Sequence, residues 1–229
     1  MKTLPLLTEL TGVSAFSTCA GFNICTYAGG DRSMAEADLR QLERLTGIDR
    51  THMRFPVQTH TAEVRLADRP LDGVDGVVCT SPGMLIGVHT ADCLPLLMAD
   101  VTAGVIAAVH CGWRGTAAGI AANAVELMVS AGADTRHIVA AMGPCICADC
   151  FEVGEEVACR FPDEAVIRRP GAKPHVDLAR AVALQLEAAG IRAITPPPAC
   201  SMTDSRFYSV RRQGRSMTLR TLSAIALSL

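Results

Sequence analysis

A series of six short apolar segments between residues 53 and 110 constrains the fold of this chain most. Gly, Pro and Asp residues separate them, which is typical of β-strands joined by tight turns. The segments are Met53–Gln58, Glu63–Ala67, Val74–Thr80, Met84–Thr90, Leu94–Met98 and Gly104–His110. Several are apolar at almost every position, as expected of strands that are covered on both faces. The series therefore predicts a sheet lying between other layers.

Segments with helical periodicity lie on either side of this series. They are Ser33–Leu45, Ala117–Ala131, Glu152–Phe161 and Asp177–Ala189. Asp31 or Ser33 can cap the first helix and Asp177 the last, while Gly47 and Gly190 are typical residues at helix ends. Further strands are predicted at His137–Met142, Ile191–Thr195 and Leu219–Leu227, the last of which also suits a helix. The pattern predicts a single α/β domain over residues 1–229, with a mixed β-sheet layered with helices.

Length and charge exclude several classes of protein. A chain of 229 residues is long enough to bury a core without disulfides. Its net charge of −2 argues against a nucleic-acid partner, which usually needs a basic patch. We find no apolar stretch of about 20 residues that could cross a membrane, and no apolar N-terminal segment typical of a signal peptide. A cytoplasmic protein is expected, with its ten cysteines serving as buried residues, ligands or reactive thiols.

Three residues at the ends of predicted strands are candidate metal ligands. His110 ends a strand and precedes a Gly-Trp-Arg-Gly turn into a helix, a position where α/β sheets bind ligands. Cys93 precedes a strand, and His60 follows one. Two histidines and one thiol can form a three-ligand zinc site with an open fourth position. Their spacing does not form a compact motif, so a core histidine, a buried thiol and a solvated turn histidine stay as alternatives.

Charged residues near these positions are candidates for catalysis. Asp92 beside Cys93 would hydrogen-bond a metal-bound histidine better than it would tolerate a free thiolate, which favours a metal over a nucleophile. Arg114, Arg212 and the neighbouring Arg211 and Arg215 could bind an anion such as phosphate.

Cysteine clustering suggests further metal ligands. The motif Cys145-x-Cys147-x-x-Cys150 resembles half of a structural zinc site. Reserve ligand candidates are His89, Cys111 and Cys25, and we expect the remaining histidines to lie at the surface or to be structural. The single tryptophan, Trp113, is expected to pack rather than to bind a substrate.

Several motifs occur in the order that one known family shows. They are Gln58-Thr59-His60, Asp75-Gly76-Val77-Val78-Cys79-Thr80, Thr90-Ala91-Asp92-Cys93-Leu94-Pro95, His110-Cys111-Gly112-Trp113-Arg114-Gly115, Gly143-Pro144-Cys145-Ile146, Phe151-Glu152-Val153-Gly154-Glu155-Glu156-Val157 and Phe207-Tyr208-Ser209-Val210-Arg211-Arg212. The chain thereby resembles the laccase-domain family, also called the polyphenol-oxidase or peptidoglycan-editing-factor family. The resemblance spans nearly the whole chain and implies that family's own α/β fold.

The resemblance also implies an activity and a cofactor. It maps zinc ligands onto His60, Cys93 and His110, with zinc-dependent phosphorolysis of adenosine, inosine or guanosine and deamination of adenosine. Purine nucleosides and phosphate are then the expected partners of a monomer or weak homo-oligomer. In this hypothesis Asp92 is a general base or a partner of a metal ligand, and Arg114 or Arg212 holds phosphate.

Three other functions remain open at this point. A copper-dependent polyphenol oxidase would need more histidines than the six present if it were to build a multicopper centre. A Cys–His hydrolase acting on a cell-wall precursor would use Cys93 as nucleophile and His110 as base. A metal-binding or partner-binding module would bind at the same residues without turnover.

Overall fold

Two β-sheets packed face to face form the centre of the structure. The structure is a computed structural model and describes residues 1–228. In chain order the strands are Thr3–Leu6 (β1), Val13–Thr18 (β2), Met53–Arg54 (β3), Val64–Leu66 (β4), Gly76–Cys79 (β5), Leu85–Thr90 (β6), Leu94–Asp100 (β7), Val105–Cys111 (β8), Val139–Met142 (β9), Val166–Ile167 (β10), His175–Val176 (β11), Ala193–Thr195 (β12) and Thr221–Leu227 (β13). The helices are Arg32–Thr46 (α1), Trp113–Ala117 (α2), Ile120–Ser130 (α3), Glu155–Ala158 (α4), Leu178–Ala188 (α5) and Val210–Gln213 (α6).

Both large sheets are mixed. One has five strands in the order β1-β2-β13-β6-β3, in which β13 is antiparallel to both neighbours and β3 is parallel to β6. The other has six strands in the order β12-β9-β7-β8-β5-β4, with antiparallel pairing in its centre and a parallel pair at each edge. β10 and β11 form a separate two-stranded ribbon.

Apolar side chains separate the layers. Those between the two sheets include Val77, Ile86, Val88, Leu97, Ile106, Ala108 and Ile225. Those between the six-stranded sheet and helices α3 and α5 include Leu96, Met98, Val109, Ile120, Met128, Val182 and Leu186. Helix α1 places Leu42 against the outer face of the five-stranded sheet. Strands β6, β7 and β8 are therefore buried at every position, which explains why they are apolar on both faces.

The α/β class with a mixed sheet layered with helices is confirmed, but the strands divide between two sheets. The second sheet depends on β1 and β2, which were not predicted, and on β13, whose strand interpretation is confirmed. The extent of one domain over residues 1–229 stays a prediction. Within residues 1–228 the structure has no helix long and apolar enough to cross a membrane.

Several predicted element bounds were wrong. The helix predicted over Ala117–Ala131 corresponds to α3 and begins only at Ile120, because Gly119, with a φ of 86°, separates it from the short helix α2 that ends at Ala117. The helix predicted over Glu152–Phe161 is the single turn α4. The strand predicted over Met53–Gln58 ends at Arg54, since Pro56 soon removes a backbone donor.

The predicted helix caps are confirmed. The side chain of Asp31 accepts hydrogen bonds from the backbone N–H groups of Ser33 and Met34 at the start of α1, and Gly47 ends that helix with a φ of 70°. Asp177 caps α5 in the same manner.

Candidate metal centre

The structure brings His60, Cys93 and His110 together. Cys93 directly precedes β7 and His110 lies near the end of β8, and these antiparallel strands pair so that Pro95 lies opposite His110. His60 reaches them from the loop between β3 and β4. One donor atom of each residue lies within 4.8 Å of the other two. The three strand-end residues predicted as ligands therefore converge into one group.

Asp75, just before β5, holds two of the three residues in place. Its carboxylate is fully buried and accepts a hydrogen bond from His110 Nδ1 at 2.7 Å. It also accepts from the backbone N–H groups of Thr59, His60 and Thr61, and from the Thr61 hydroxyl. These bonds fix the loop in which His60 adopts a φ of 62°, a region that favours glycine. Asp75 thus fixes His110 through its side chain and His60 through its backbone.

The same hydrogen bonds keep Asp75 ionised. Burial alone would raise its pKa, but the hydrogen bonds from His110 and Thr61 outweigh burial and lower the pKa to about 2. With its Nδ1 bonded to this carboxylate, His110 has Nε2 left as its ligand atom. Orienting a metal-binding histidine through a carboxylate on its other ring nitrogen is common in metal sites.

Cys93 has the charge state that a metal ligand requires. Burial raises the pKa of its thiol, but the charge of His110 and hydrogen bonds from His110 and His60 lower the pKa to about 6. Burial lowers the pKa of His110, while the Cys93 thiolate and the Asp75 hydrogen bond raise it to about 9. Without a metal the pair is a thiolate beside an imidazolium, and a cation can take the place of the proton on the imidazole.

Gly112 leaves the space in which the three side chains meet. A Cβ atom at this position would lie 3.1 Å from His60 Cδ2, 3.2 Å from His110 Cε1 and 3.3 Å from Cys93 Sγ. Its φ of −72° is open to any residue, so the constraint is contact rather than backbone conformation. A glycine here allows the backbone to pass close to all three ligands.

The other candidate ligands lie elsewhere. His89, Cys111 and Cys25 are buried, and none of them belongs to a group of converging donor atoms within residues 1–228. The ring of His89 packs edge-on against Tyr27 and Phe55.

The sequence predicted Asp92 as the hydrogen-bond partner of a metal-bound histidine. In the structure that partner is Asp75, which accepts from His110. Asp92 has a φ of 94° and accepts hydrogen bonds of 2.7 Å from Ser201 Oγ and from the backbone N–H of Arg211. Asp75 is the residue that sequence reasoning missed. The sequence feature that could have identified it is an aspartate at the start of an apolar strand, because a charged group that is buried there needs hydrogen-bond partners.

A cleft of about 490 Å³ opens beside the group. Its lining includes His60, Asp92, Cys93, Ile146, Phe151, Arg211 and Arg215. The guanidinium of Arg211 donates to the carbonyl oxygens of Cys150 and Glu152. Arg215 also lines the cleft, and within residues 1–228 its guanidinium has no hydrogen-bond or ion-pair partner, which leaves it available to an anion there.

Arg114 and Arg212 lie outside the lining of this cleft. The guanidinium of Arg212 donates to four carbonyl oxygens in the loop 201–207 and thereby holds that loop together. Arg114 is exposed and stacks on Trp113 at 4.3 Å. Their contact with phosphate stays a prediction, whereas Arg215 is part of the cleft lining.

A family model described as multi-copper polyphenol oxidoreductase laccase matches residues 6–228. Among curated proteins, the chain is 38% identical to adenosine deaminase RL5 from an unknown prokaryotic organism, over 93% of this chain and 94% of that protein. It is 41% identical to a purine nucleoside phosphorylase of Deinococcus radiodurans, over 90% of this chain and 81% of that protein. Among solved structures, YlmD from Geobacillus stearothermophilus superposes with a TM-score of 0.88 at 27% identity, covering 97% of this chain and 94% of that one.

Proposed function

The chain belongs to the multi-copper polyphenol oxidoreductase laccase family, and we propose that it is a zinc-dependent purine nucleoside phosphorylase that also deaminates adenosine. The convergence of His60, Cys93 and His110 beside an open cleft carries this proposal. The names of two relatives, a purine nucleoside phosphorylase and an adenosine deaminase, supply the reaction classes. Phosphorolysis converts adenosine and phosphate into adenine and ribose 1-phosphate; deamination converts adenosine and water into inosine and ammonia.

The donor set supports zinc. His60, Cys93 and His110 would hold the ion through two imidazoles and one thiolate and leave the fourth position open, an arrangement typical of catalytic zinc. Bound there, zinc supplies a Lewis acid that polarises an oxygen atom of a substrate.

The residues of the cleft suit a nucleoside and an anion. A volume of about 490 Å³ lies within the range of small-molecule sites. Phe151 and Ile146 offer apolar surface to a flat base, and the Arg215 guanidinium offers a charge to phosphate. Asp92 is the proposed general base, because its two hydrogen bonds fix a carboxylate at the cleft wall.

Two alternatives use the same residues. A multicopper oxidase needs many histidines, whereas the triad supplies two and within residues 1–228 the only other converging donor group contains three cysteines. The thiolate of Cys93 beside His110 does favour a second candidate, a Cys–His hydrolase. That enzyme requires one histidine, and the convergence of His60 on the same thiol favours the metal instead.

Metal removal separates these functions. We expect zinc-loaded protein to convert adenosine and phosphate into adenine and ribose 1-phosphate, with a second product, inosine, that forms without phosphate. Chelation should abolish both reactions and zinc should restore them, as measured by chromatography of the bases and nucleosides. A Cys–His hydrolase would form neither product from adenosine, and on a cell-wall precursor it would stay active after chelation because its thiolate is then free. Absence of any nucleoside turnover by the zinc-loaded protein would contradict the proposal.

Replacing Arg215 by alanine tests the anion contact. We expect the KM for phosphate to rise about tenfold, the effect of one lost charge-assisted hydrogen bond in a partly solvated cleft, while the rate of deamination stays near that of the wild type. Arg114→Ala removes an exposed guanidinium outside the cleft lining and is the matched comparison. A raised KM for phosphate in Arg114→Ala, with none in Arg215→Ala, would move the phosphate contact to Arg114.

A further inference from the structure

A second group of sulfur atoms lies outside the triad. One sulfur atom each from Cys147, Cys150 and Cys200 lies within 4.8 Å of the other two. Cys147 directly precedes a single helical turn after β9, Cys150 is the last residue of that turn, and Cys200 follows β12. The backbone N–H of Cys147 donates to Cys200 Sγ at 3.3 Å, which favours the thiolate form of Cys200. The chain therefore brings together three thiols that are 53 residues apart at their extremes.

The arrangement differs from the one expected from the sequence. Cys145, the first cysteine of the predicted Cys145-x-Cys147-x-x-Cys150 ligand set, is buried and does not belong to this group. A backbone bridge between Cys145 and Cys200 instead brings Cys200 to the other two cysteines. Burial raises the pKa of the Cys145 thiol well above its usual range, so that residue is a structural thiol.

We propose that Cys147, Cys150 and Cys200 form a second metal site, which takes a thiophilic cation such as zinc. Zinc–sulfur bonds of about 2.3 Å in a tetrahedron place sulfur atoms about 3.8 Å apart, so a small contraction of the present group suffices. All three cysteines are free and not fully buried. Cys147 and Cys200 border a cleft of about 370 Å³ through which an ion can enter. Three thiolates at this distance repel one another, and a cation allows all three to be ionised together.

The position of this site gives it a structural role. Ile146 and Phe151, which line the cleft beside the triad, directly flank the segment 147–150. The guanidinium of Arg211 donates to the carbonyl oxygen of Cys150 and lies over the ring of Phe151. A cation that joins this segment to Cys200 would fix one wall of the cleft.

Counting metal ions in the whole chain tests the second site without any assay of turnover, and the cysteine variants count its ion separately from the ion of the triad. Protein loaded with zinc under reducing conditions and freed of excess metal should contain about two ions per chain. Cys200→Ser and Cys150→Ser should each retain about one, and His60→Ala should retain the other. Cys159→Ser replaces an exposed cysteine outside the group and should retain both.

Cadmium distinguishes the two sites in case a variant folds poorly. Titrated into His60→Ala, cadmium should produce an intense ultraviolet thiolate-to-metal absorption that saturates at about one ion per chain. The added substitution Cys200→Ser should remove it. The proposal is overturned if the His60→Ala protein shows no such absorption, or if wild-type protein holds a single zinc ion that Cys200→Ser leaves in place.

Discussion

Replacing His60 by alanine is expected to remove the metal of the triad and to reduce nucleoside turnover by about a thousandfold or more. The metal's stabilisation of developing charge is worth several kcal/mol, and each 1.36 kcal/mol corresponds to a factor of about ten in rate. The fold should survive, because the His60 side chain is exposed and its link to Asp75 runs through the backbone N–H, which alanine keeps. Metal analysis should find one ion fewer per chain than in the wild type.

The matched control is His52→Ala. His52 is also an exposed histidine, and it borders a different cleft, formed with residues 46–49. We expect this variant to keep its metal content and its turnover, which would exclude a general effect of losing an imidazole. If His60→Ala kept full metal content and full activity, His60 would be no ligand and the proposed centre would be wrong.

The strands from Leu85 to Cys111 were predictable because both of their faces are covered, which leaves continuous apolar segments. The second sheet was not, because β1 contains a proline and β2 contains polar residues that are buried only through tertiary pairing. Ser17 of β2 shows the reason. Its hydroxyl lies 2.7 Å from that of Ser223 in β13, and both are fully buried. That pairing joins residues 206 positions apart, which no local pattern reveals.

The candidate ligands were predictable from their places at strand ends, since such positions meet at one edge of a layered fold. Asp75, the residue that holds two of them in place, was not predictable. Asp75 is identified by five hydrogen-bond donors, four from residues 59–61 and one from His110, and these donors converge only after β5 pairs with β8. Arg212 was predicted from the sequence as an anion-binding residue, but its guanidinium instead donates hydrogen bonds to backbone carbonyl oxygens of the loop 201–207.

Asp75→Asn is expected to weaken metal binding by about 10- to 100-fold and to destabilise the fold by about 3 kcal/mol. An amide has one oxygen and one NH₂ group, whereas both oxygens of Asp75 accept hydrogen bonds. If the NH₂ group faces His110, Nδ1 must become an acceptor, and the ring proton moves to Nε2, the nitrogen needed for the metal. If it faces Thr61, the loop that carries His60 loses the hydrogen bonds from Thr61 that hold it in place. Both orientations damage the same site.

Thermal unfolding and metal competition measure the two effects of Asp75→Asn separately. A loss of about 3 kcal/mol corresponds to a decrease in Tm of about 6–12 °C for a chain of this length. Because the pKa of Asp75 is lowered to about 2, its contribution to stability is complete above the ordinary aspartate range and is lost as the pH falls through about 2. The difference in unfolding free energy between wild type and variant should therefore become smaller in acid.

Asp72→Asn alters an exposed aspartate in the same loop as Asp75 and should change stability by less than about 0.5 kcal/mol. Neither orientation of the amide can make the hydrogen bonds to both His110 and the loop of His60. Equal metal affinity in Asp75→Asn and the wild type would therefore show that the carboxylate does not orient the ligands.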